Sequence, residues 1–435
     1  MPARLLRCLP CAVAAAAVAV LLSVSHSPAA ATQTDYDDVI FAVRPFGPDG
    51  HYYANFGYFC FDPEQKVYPQ GGGALRRLNL RTSEVTTLLD DPDGGVRDPQ
   101  VHYDGRKVLF SYRRGGSDYY HLYEINIDGT GLRQLTDGPF DDIEPTYMPD
   151  GSIVFCSSRC NRWVLCWKVP VAILYRCDAD GGNIEMLSSN AVTENTPAVL
   201  PDGRILYTRW EYVERSQLAY HHLWTVNPDG TGQMTFFGNM HPAGMAHNVR
   251  EHVGREVRYD NVPGDVAMLD AKPIPGTGEV VAIFSPGHGR REHMGFVTVV
   301  DPQRGPDHQP SARRIHPGGD WRDPYPVAAD RFLVARANEL HLMDIDGSHN
   351  DVVVSQAEAA LIRLWLDSGA AANGTYAIMD GGTPESPSPL YIREMQRYGI
   401  LPSDFDPATG QFDPYAADET YWRSFWHQPA HPGQN

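Results

Sequence analysis

The chain lacks the short motifs that mark many enzymes. No Gly-x-Ser-x-Gly nucleophile elbow occurs, so no serine hydrolase of that design is encoded. No Gly-x-x-x-x-Gly-Lys-Ser/Thr phosphate loop occurs, and no Cys-x-x-Cys-His haem attachment site. Beyond the first two dozen residues, no stretch approaches the roughly 20 apolar residues of a spanning helix. Positive charge is scarce: 36 Lys and Arg stand against 54 Asp and Glu, a formal charge of −18. Such a surface repels phosphate backbones, which argues against nucleic acid as a partner.

What is present begins with an export signal. Arg4 and Arg7 precede an apolar run from Cys11 to Val24, and Ala29-Ala30-Ala31 supplies a small-x-small cleavage site. Residues 1–31 read as a signal peptide, with an uncleaved anchor as the alternative. The expected mature chain starts at Thr32, is periplasmic or secreted, and has no membrane attachment after cleavage. Cleavage removes two arginines and no acid, taking the formal charge to −20.

Cys60, Cys156, Cys160, Cys166 and Cys177 lie beyond the signal, the last four within 22 residues. In an oxidising compartment such a cluster reads first as disulfides, with Cys60 left over. A thiolate metal site and free buried thiols are the alternatives. The intervals of three, five and ten residues match no usual zinc pattern.

One unit recurs from Asp37 to Val354. A dipeptide ending in proline returns as Asp98-Pro99, Glu144-Pro145, Thr196-Pro197, Lys272-Pro273 and Asp323-Pro324. A first hairpin returns as Asp104-Gly105, Asp150-Gly151 and Asp202-Gly203, and a second as Asp128-Gly129, Asp180-Gly181, Asp229-Gly230 and Asp346-Gly347. Uninterrupted units span 46 to 52 residues, with four short strands and tight Asp-Gly turns. That period with that strand content is a propeller blade. The expected fold is all-β: a six-bladed β-propeller over residues 37–354 with a short α-helical C-terminal extension over 355–435. The first unit shows only its later strands, from Val39 onward.

The strings Leu135-Thr, Glu144-Pro145, Pro149-Asp-Gly and Ile153-Val-Phe resemble the TolB-type, WD-repeat-like propeller. Cys156-Ser-Ser-Arg-Cys-Asn-Arg-Trp, Tyr175-Arg-Cys-Asp-Ala-Asp-Gly-Gly-Asn and Phe284-Ser-Pro-Gly-His-Gly more narrowly resemble hydrazine synthase α-subunit-related proteins. In that family the propeller accompanies c-type haem domains. This chain departs from it, so covalent haem is not expected here. After Val354 comes an amphipathic segment, Ala357 to Gly369, that looks like the terminal helix of the family's cytochrome-like region. The tail from Pro384 carries Tyr391, Trp422, Phe425 and Trp426, too many aromatics for a free appendage.

In a blade, strands a to d run outward from the channel. The a–b and c–d turns share one face; the b–c loops and the links to the next blade share the other. All the long segments are of the second kind: 44–73, 159–170, 209–220, 286–293 and 238–265. Loops concentrated on one face are the usual seat of function. Arg159, Trp163, Arg209, Glu211, His221, His241, His247 and His288 are the candidate binding residues there. Neutral imidazoles suit zinc, with scattered hydrogen-bonded histidines as the plainer reading. At the channel mouth, Asp98, Glu144, Asn195 and Asp323 offer oxygens to a cation such as calcium, or bridge adjacent blades.

No catalytic residue is identified. The expected function is binding of a protein partner or small ligand on the loop face. A metal-dependent lyase or oxidoreductase with a histidine-held metal on that face is the alternative.

Overall fold

Each repeat folds into its own antiparallel sheet, because its apolar residues alternate along short strands and glycines close the turns. The computed structural model describes residues 38–354, apart from 46, 83, 214, 216–219, 239–266, 286–293 and 337–338, together with Gln396. The expected terminal helices and aromatic tail lie outside the described residues, as do the signal peptide and His241, His247 and His288.

Strand β1 (Asp38–Val43) leads through a small hairpin, β2 (Tyr58–Phe59) and β3 (Asp62–Lys66), to β4 (Gly73–Asn79) and β5 (Val85–Asp91). β1, β4 and β5 form a three-stranded sheet. The second sheet is β6 (Gly95–Val101), β7 (Lys107–Arg113), β8 (His121–Asn126) and β9 (Arg133–Gln134). The third is β10 (Asp142–Tyr147), β11 (Ile153–Ser157), β12 (Ile173–Cys177) and β13 (Glu185–Met186). The fourth is β14 (Glu194–Val199), β15 (Ile205–Trp210), β16 (His221–Val226) and β17 (Met234–Phe237). It joins the fifth, β18 (Ala267–Pro273), β19 (Val280–Ser285), β20 (Phe296–Val300) and β21 (Ala312–Arg314), only through a parallel bridge from His221 to Ala267. The last is β22 (Trp321–Ala328), β23 (Arg331–Arg336), β24 (Glu339–Asp344) and β25 (Asn350–Val354).

Successive sheets pack face to face, so both faces of a middle sheet are buried. On β11, Ile153 and Phe155 join one core with Ile173 and Tyr175, while Val154 and Cys156 join another with Leu174. Burying one such large side chain stabilises by about 1.5–3 kcal/mol.

The contacts between sheets identify the strand missing from the first. A Cβ on Gly181, Gly230 or Gly347, in the outer turns of three sheets, would press on the carbonyl of Leu135, Leu187 or Ile315, just past the outermost strand of the preceding sheet. Gly129 makes the same approach to Leu88, which lies in β5. β5 is therefore an outermost strand, and β1, β4 and β5 take positions b, c and d. The innermost position of that sheet is the one absent among the described residues, as the repeat implied.

Each complete innermost strand carries a bulge at one place. Asp98, Glu144, Thr196, Asp270 and Asp323 have φ between 46° and 56°, and the ladder register shifts across each. Proline follows four of them because a bulge leaves an N–H outside the ladder. In the fifth sheet the bulge is Asp270-Ala271, so the expected equivalence of Lys272-Pro273 is corrected by two residues. The fourth bulge is centred on Thr196, with Asn195 just before it.

Candidate functional site

The bulge side chains bridge neighbouring sheets. Asp98 Oδ2 accepts from Glu144 N at 3.1 Å, and Glu144 Oε2 accepts from Thr196 N at 2.6 Å. Arg97 ties both carboxylates, with Nε 2.6 Å from Asp98 and Nη2 2.9 Å from Glu144. Burial nevertheless raises the Glu144 carboxyl above its ordinary range, against Arg97. Asp270 is pushed up to about 8 by burial and then by Asp323.

Two loop-face arginines are engaged inside their own blades. Arg159 forks onto Asp142, Nε to Oδ1 at 3.0 Å and Nη2 to Oδ2 at 2.7 Å. Arg209 donates to Glu194 at 3.0 Å and to Glu211. In the last sheet Arg336 repeats the arrangement on Asp320 at 2.8 Å. A pair recurring between the end of strand b and the start of strand a belongs to the blade design. In the third and fourth sheets the acid is fully buried, and planar guanidinium matches carboxylate there.

The insertion between β1 and β4 differs, because among the described residues no other blade has its like. It runs over the third and fourth sheets and is buried there: Asp49, His51, Tyr52, Tyr53, Ala54 and Phe56 are all below 9% exposed. Asp49 is its anchor. Its backbone N–H donates to Asn55 Oδ1, and its carboxylate takes His51 Nδ1 at 2.6 Å and the Trp167 indole N–H at 2.6 Å. Burial pushes the Asp49 carboxyl up, but His51 and Trp167 outweigh burial and hold it below the usual range. The Tyr52 hydroxyl meets His221 Nδ1 at 2.8 Å, and Tyr53 stacks on Trp210 with ring centres 4.9 Å apart. Asp141, pushed up to about 7 by burial, accepts the N–H groups of Tyr120 and Gly57.

The 159–170 loop is itself a small hairpin, pinned by a bridge between Trp163 and Pro170. Trp163 packs edge-on against Tyr58, and Cys60 N donates to Lys168 O at 3.0 Å. Tyr212, at the start of the next loop, hydrogen-bonds Cys166. Insertions of blades one, three and four thus interlock into one cap.

Among the described residues no two of Cys60, Cys156, Cys160, Cys166 and Cys177 are bonded to each other, so the expected disulfides are not formed. Cys156 pairs with Leu174 across the ladder and Cys177 with Ile153, so these two sit at opposite ends of the strand pair and in different cores. Cys160 lies at the root of the small hairpin, donating to Val171 O, while Cys166 lies in its turn. Burial raises Cys156 well above the ordinary thiol range and pushes Cys177 up to about 12. Among the described residues, no group of three or more His, Cys, Asp or Glu is arranged to hold a metal.

Of the candidates, the structure brings Trp163 and His221 together in the cap, places Arg159, Arg209 and Glu211 in blade clamps, and puts Asp98, Glu144, Asn195 and Asp323 on the inner wall. Sequence reading missed Asp49, His51, Tyr52, Tyr53, Trp167 and Asp270. The signal available for the first four was a histidine and two tyrosines in the longest insertion.

The cap's outer tips are apolar. Phe61 is 60% exposed, Leu165 62% and Val213 62%. Phe61 follows Cys60, which bonds Lys168, while Leu165 and Val213 adjoin Cys166 and Tyr212, which bond each other. The Lys168 ammonium lies over Phe59 at 4.5 Å and Phe61 at 5.0 Å.

No protein-family profile matches the chain. A stretch of 123 residues, 28% of the chain, is 31% identical to hydrazine synthase subunit alpha of Kuenenia stuttgartiensis and covers 14% of that protein. Another of 137 residues, 30% of the chain, is 30% identical to an uncharacterized protein of Agrobacterium fabrum and covers 46% of it. The chain therefore spans less than half the length of either curated relative. Among solved structures, Kuenenia stuttgartiensis hydrazine synthase superposes with a TM-score of 0.57 at 20% identity, over 74% of this chain and 45% of that one. TolB from Acinetobacter baumannii gives 0.47 at 11% identity, over 72% and 62%. The chain has a β-propeller fold, similar to that part of the hydrazine synthase structure it superposes on.

Proposed function

We propose that this chain is an extracytoplasmic propeller that binds a protein partner through the cap on its loop face. One observation carries the reading: three insertions from separate blades interlock and expose Phe61, Leu165 and Val213 on one cap. Apolar side chains so exposed at the tips of a braced cap lower the solubility of a free molecule and contribute most when a partner covers them. The blades hold the cap rigidly, which keeps the ordering cost of binding low.

A photo-crosslinking amino acid at position 61 tests this in cells producing the full chain. The expected result is an adduct of discrete size in the exported fraction, lost when Leu165 and Val213 are both changed to aspartate while the melting curve is kept. Absence of any adduct, or an adduct indifferent to the double change, would end the docking reading. Recovery of the chain only in the cytoplasm would end the export part.

A further inference from the structure

The first sheet has an edge that no described strand covers. β1 pairs with β4 on one side, and among the described residues nothing pairs with it on the other. It stands at position b, yet Val39, Ile40, Phe41 and Ala42 are only half-buried, while the b strands β11 and β19 are buried throughout. The two flanking sheets show a matching opening. Strand β6 packs beside β1, and Leu340 of the last sheet packs with Phe41 on Leu78. Among the five described innermost strands, exposed residues occur only in the two that flank this edge: Val101 in β6, and Asp323 and Tyr325 in β22. A strand edge with apolar side chains on either hand fits one extended segment.

The repeat states what that segment must look like. In three blades the bulge stands six residues before the aspartate of an Asp-Gly turn: Asp98 before Asp104, Glu144 before Asp150, and Thr196 before Asp202. After Val354 the sequence has one Asp-Gly, Asp380-Gly381, and six residues before it stands Gly374. Glycine accepts the positive φ of a bulge without strain. Thr375, Tyr376 and Ile378 fill the interval with strand-forming side chains. Chain order agrees. The outermost strand of each sheet leads to the innermost strand of the next, and Val354 ends the outermost strand of the last sheet. Residues 355–373 bridge the interval, a shorter link than 238–266 between β17 and β18.

We propose that residues 374–380 of this chain, which lie outside the described ones, dock antiparallel on β1 as the innermost strand of the first sheet. The second sheet supplies the register. There Val101, three residues before the turn aspartate, faces Val108, and Lys107 faces the turn residue Asn126. Asp38 faces Asn79 in the same way, so Val39 takes the place of Val108 and faces Ala377. The docking cap plays no part in this, since its residues lie elsewhere.

Cysteine pairs in the full chain are the test, with the exposed Cys60 replaced by serine throughout. Opposed residues of an antiparallel pair have Cα atoms about 4.5–5.5 Å apart, within disulfide reach. Val39→Cys with Ala377→Cys should yield, on mild oxidation, an intrachain bond seen as a joined peptide by mass spectrometry. Val39→Cys with Tyr376→Cys should yield little or none, because adjacent strand residues point to opposite faces. In the unaltered protein, every amide of β1 should exchange slowly with deuterium, including the alternate ones that β4 does not hold; this decides the matter if a variant fails to fold. No bond at 39–377, or equal yield from both pairs, would overturn the proposal. A bond joining two chains would overturn it in favour of a second copy, and fast exchange of alternate β1 amides in favour of a separate partner.

Discussion

Replacing Trp167 by phenylalanine tests whether the insertions hold one another in place. The indole N–H donates to Asp49 Oδ2 at 2.6 Å, and Asp49 is 4% exposed. Phenylalanine keeps an aromatic ring and removes the donor. A hydrogen bond to a charged group contributes about 1.5–3 kcal/mol, and the smaller ring adds a void. Since 1.4 kcal/mol is a factor of ten in an opening equilibrium, amide exchange across residues 49–56 should quicken about 10- to 100-fold. Exchange in the buried strands β7 and β11 should not change. Acid gives a second readout. The Asp49 carboxyl is depressed in the fold, so its contribution is complete above the ordinary value of 3.8 and is lost as pH falls through the folded value. The difference between wild type and variant should therefore shrink in acid. Hydrogen–deuterium exchange read by mass spectrometry measures both effects. Equal exchange across 49–56 in the two proteins would refute the claim that Trp167 anchors the insertion.

The blades and their acids yield further tests. Gly181 and Gly203 share φ values of 87° and 86°, but only at Gly181 would a Cβ overlap a neighbouring carbonyl, that of Leu135. Gly203→Ala should cost about 1–2 kcal/mol in denaturant unfolding, and Gly181→Ala about 1–3 kcal/mol more; equal losses would contradict the seating of that turn. Arg159→Ala strands the fully buried Asp142 carboxylate and should cost about 3–5 kcal/mol, with Arg159→Lys only partly restoring it because an ammonium does not span both oxygens. The Asp141 carboxyl is raised in the fold, so wild type should lose stability as pH rises from 3.8 to about 7, and Asp141→Asn should flatten that fall. Thiol titration of denatured, unreduced protein should count all of Cys60, Cys156, Cys160, Cys166 and Cys177; a count of one would restore the disulfides.

The blades were legible because their devices repeat. Turn glycines recur where an outer turn meets the preceding sheet, and prolines recur where a bulge frees an N–H. The misplacement at Lys272-Pro273 has the same root: a bulge tolerates proline without requiring it, and Ala271 serves as well. The cysteine pairing failed on register. Cys156 stands opposite Leu174 and Cys177 opposite Ile153, so the ladder keeps these two cysteines apart. Strand parity, available in the sequence once the hairpin was placed, decides against that bond.

The cap was illegible for the opposite reason. Asp49, His51 and Tyr52 occur in one blade only, so no second copy revealed which of their features were constrained. Their partners, Trp167 and His221, lie more than a hundred residues away and meet them only in the folded chain, where the insertion reaches blades three and four. In a repeat fold, recurrence itself sorts the side chains. Arg159, Arg209 and Arg336 each clamp an acid in three different blades, so the scaffold explains them without any ligand. The Asp49–His51–Trp167 cluster and the Tyr52–His221 contact have no counterparts in the other described blades. The blade sheets pair and pack through other residues, so these two features hold the insertion in place rather than the blades. On the docking proposal, substitutions at the exposed tips Phe61, Leu165 and Val213 should therefore separate binding from folding.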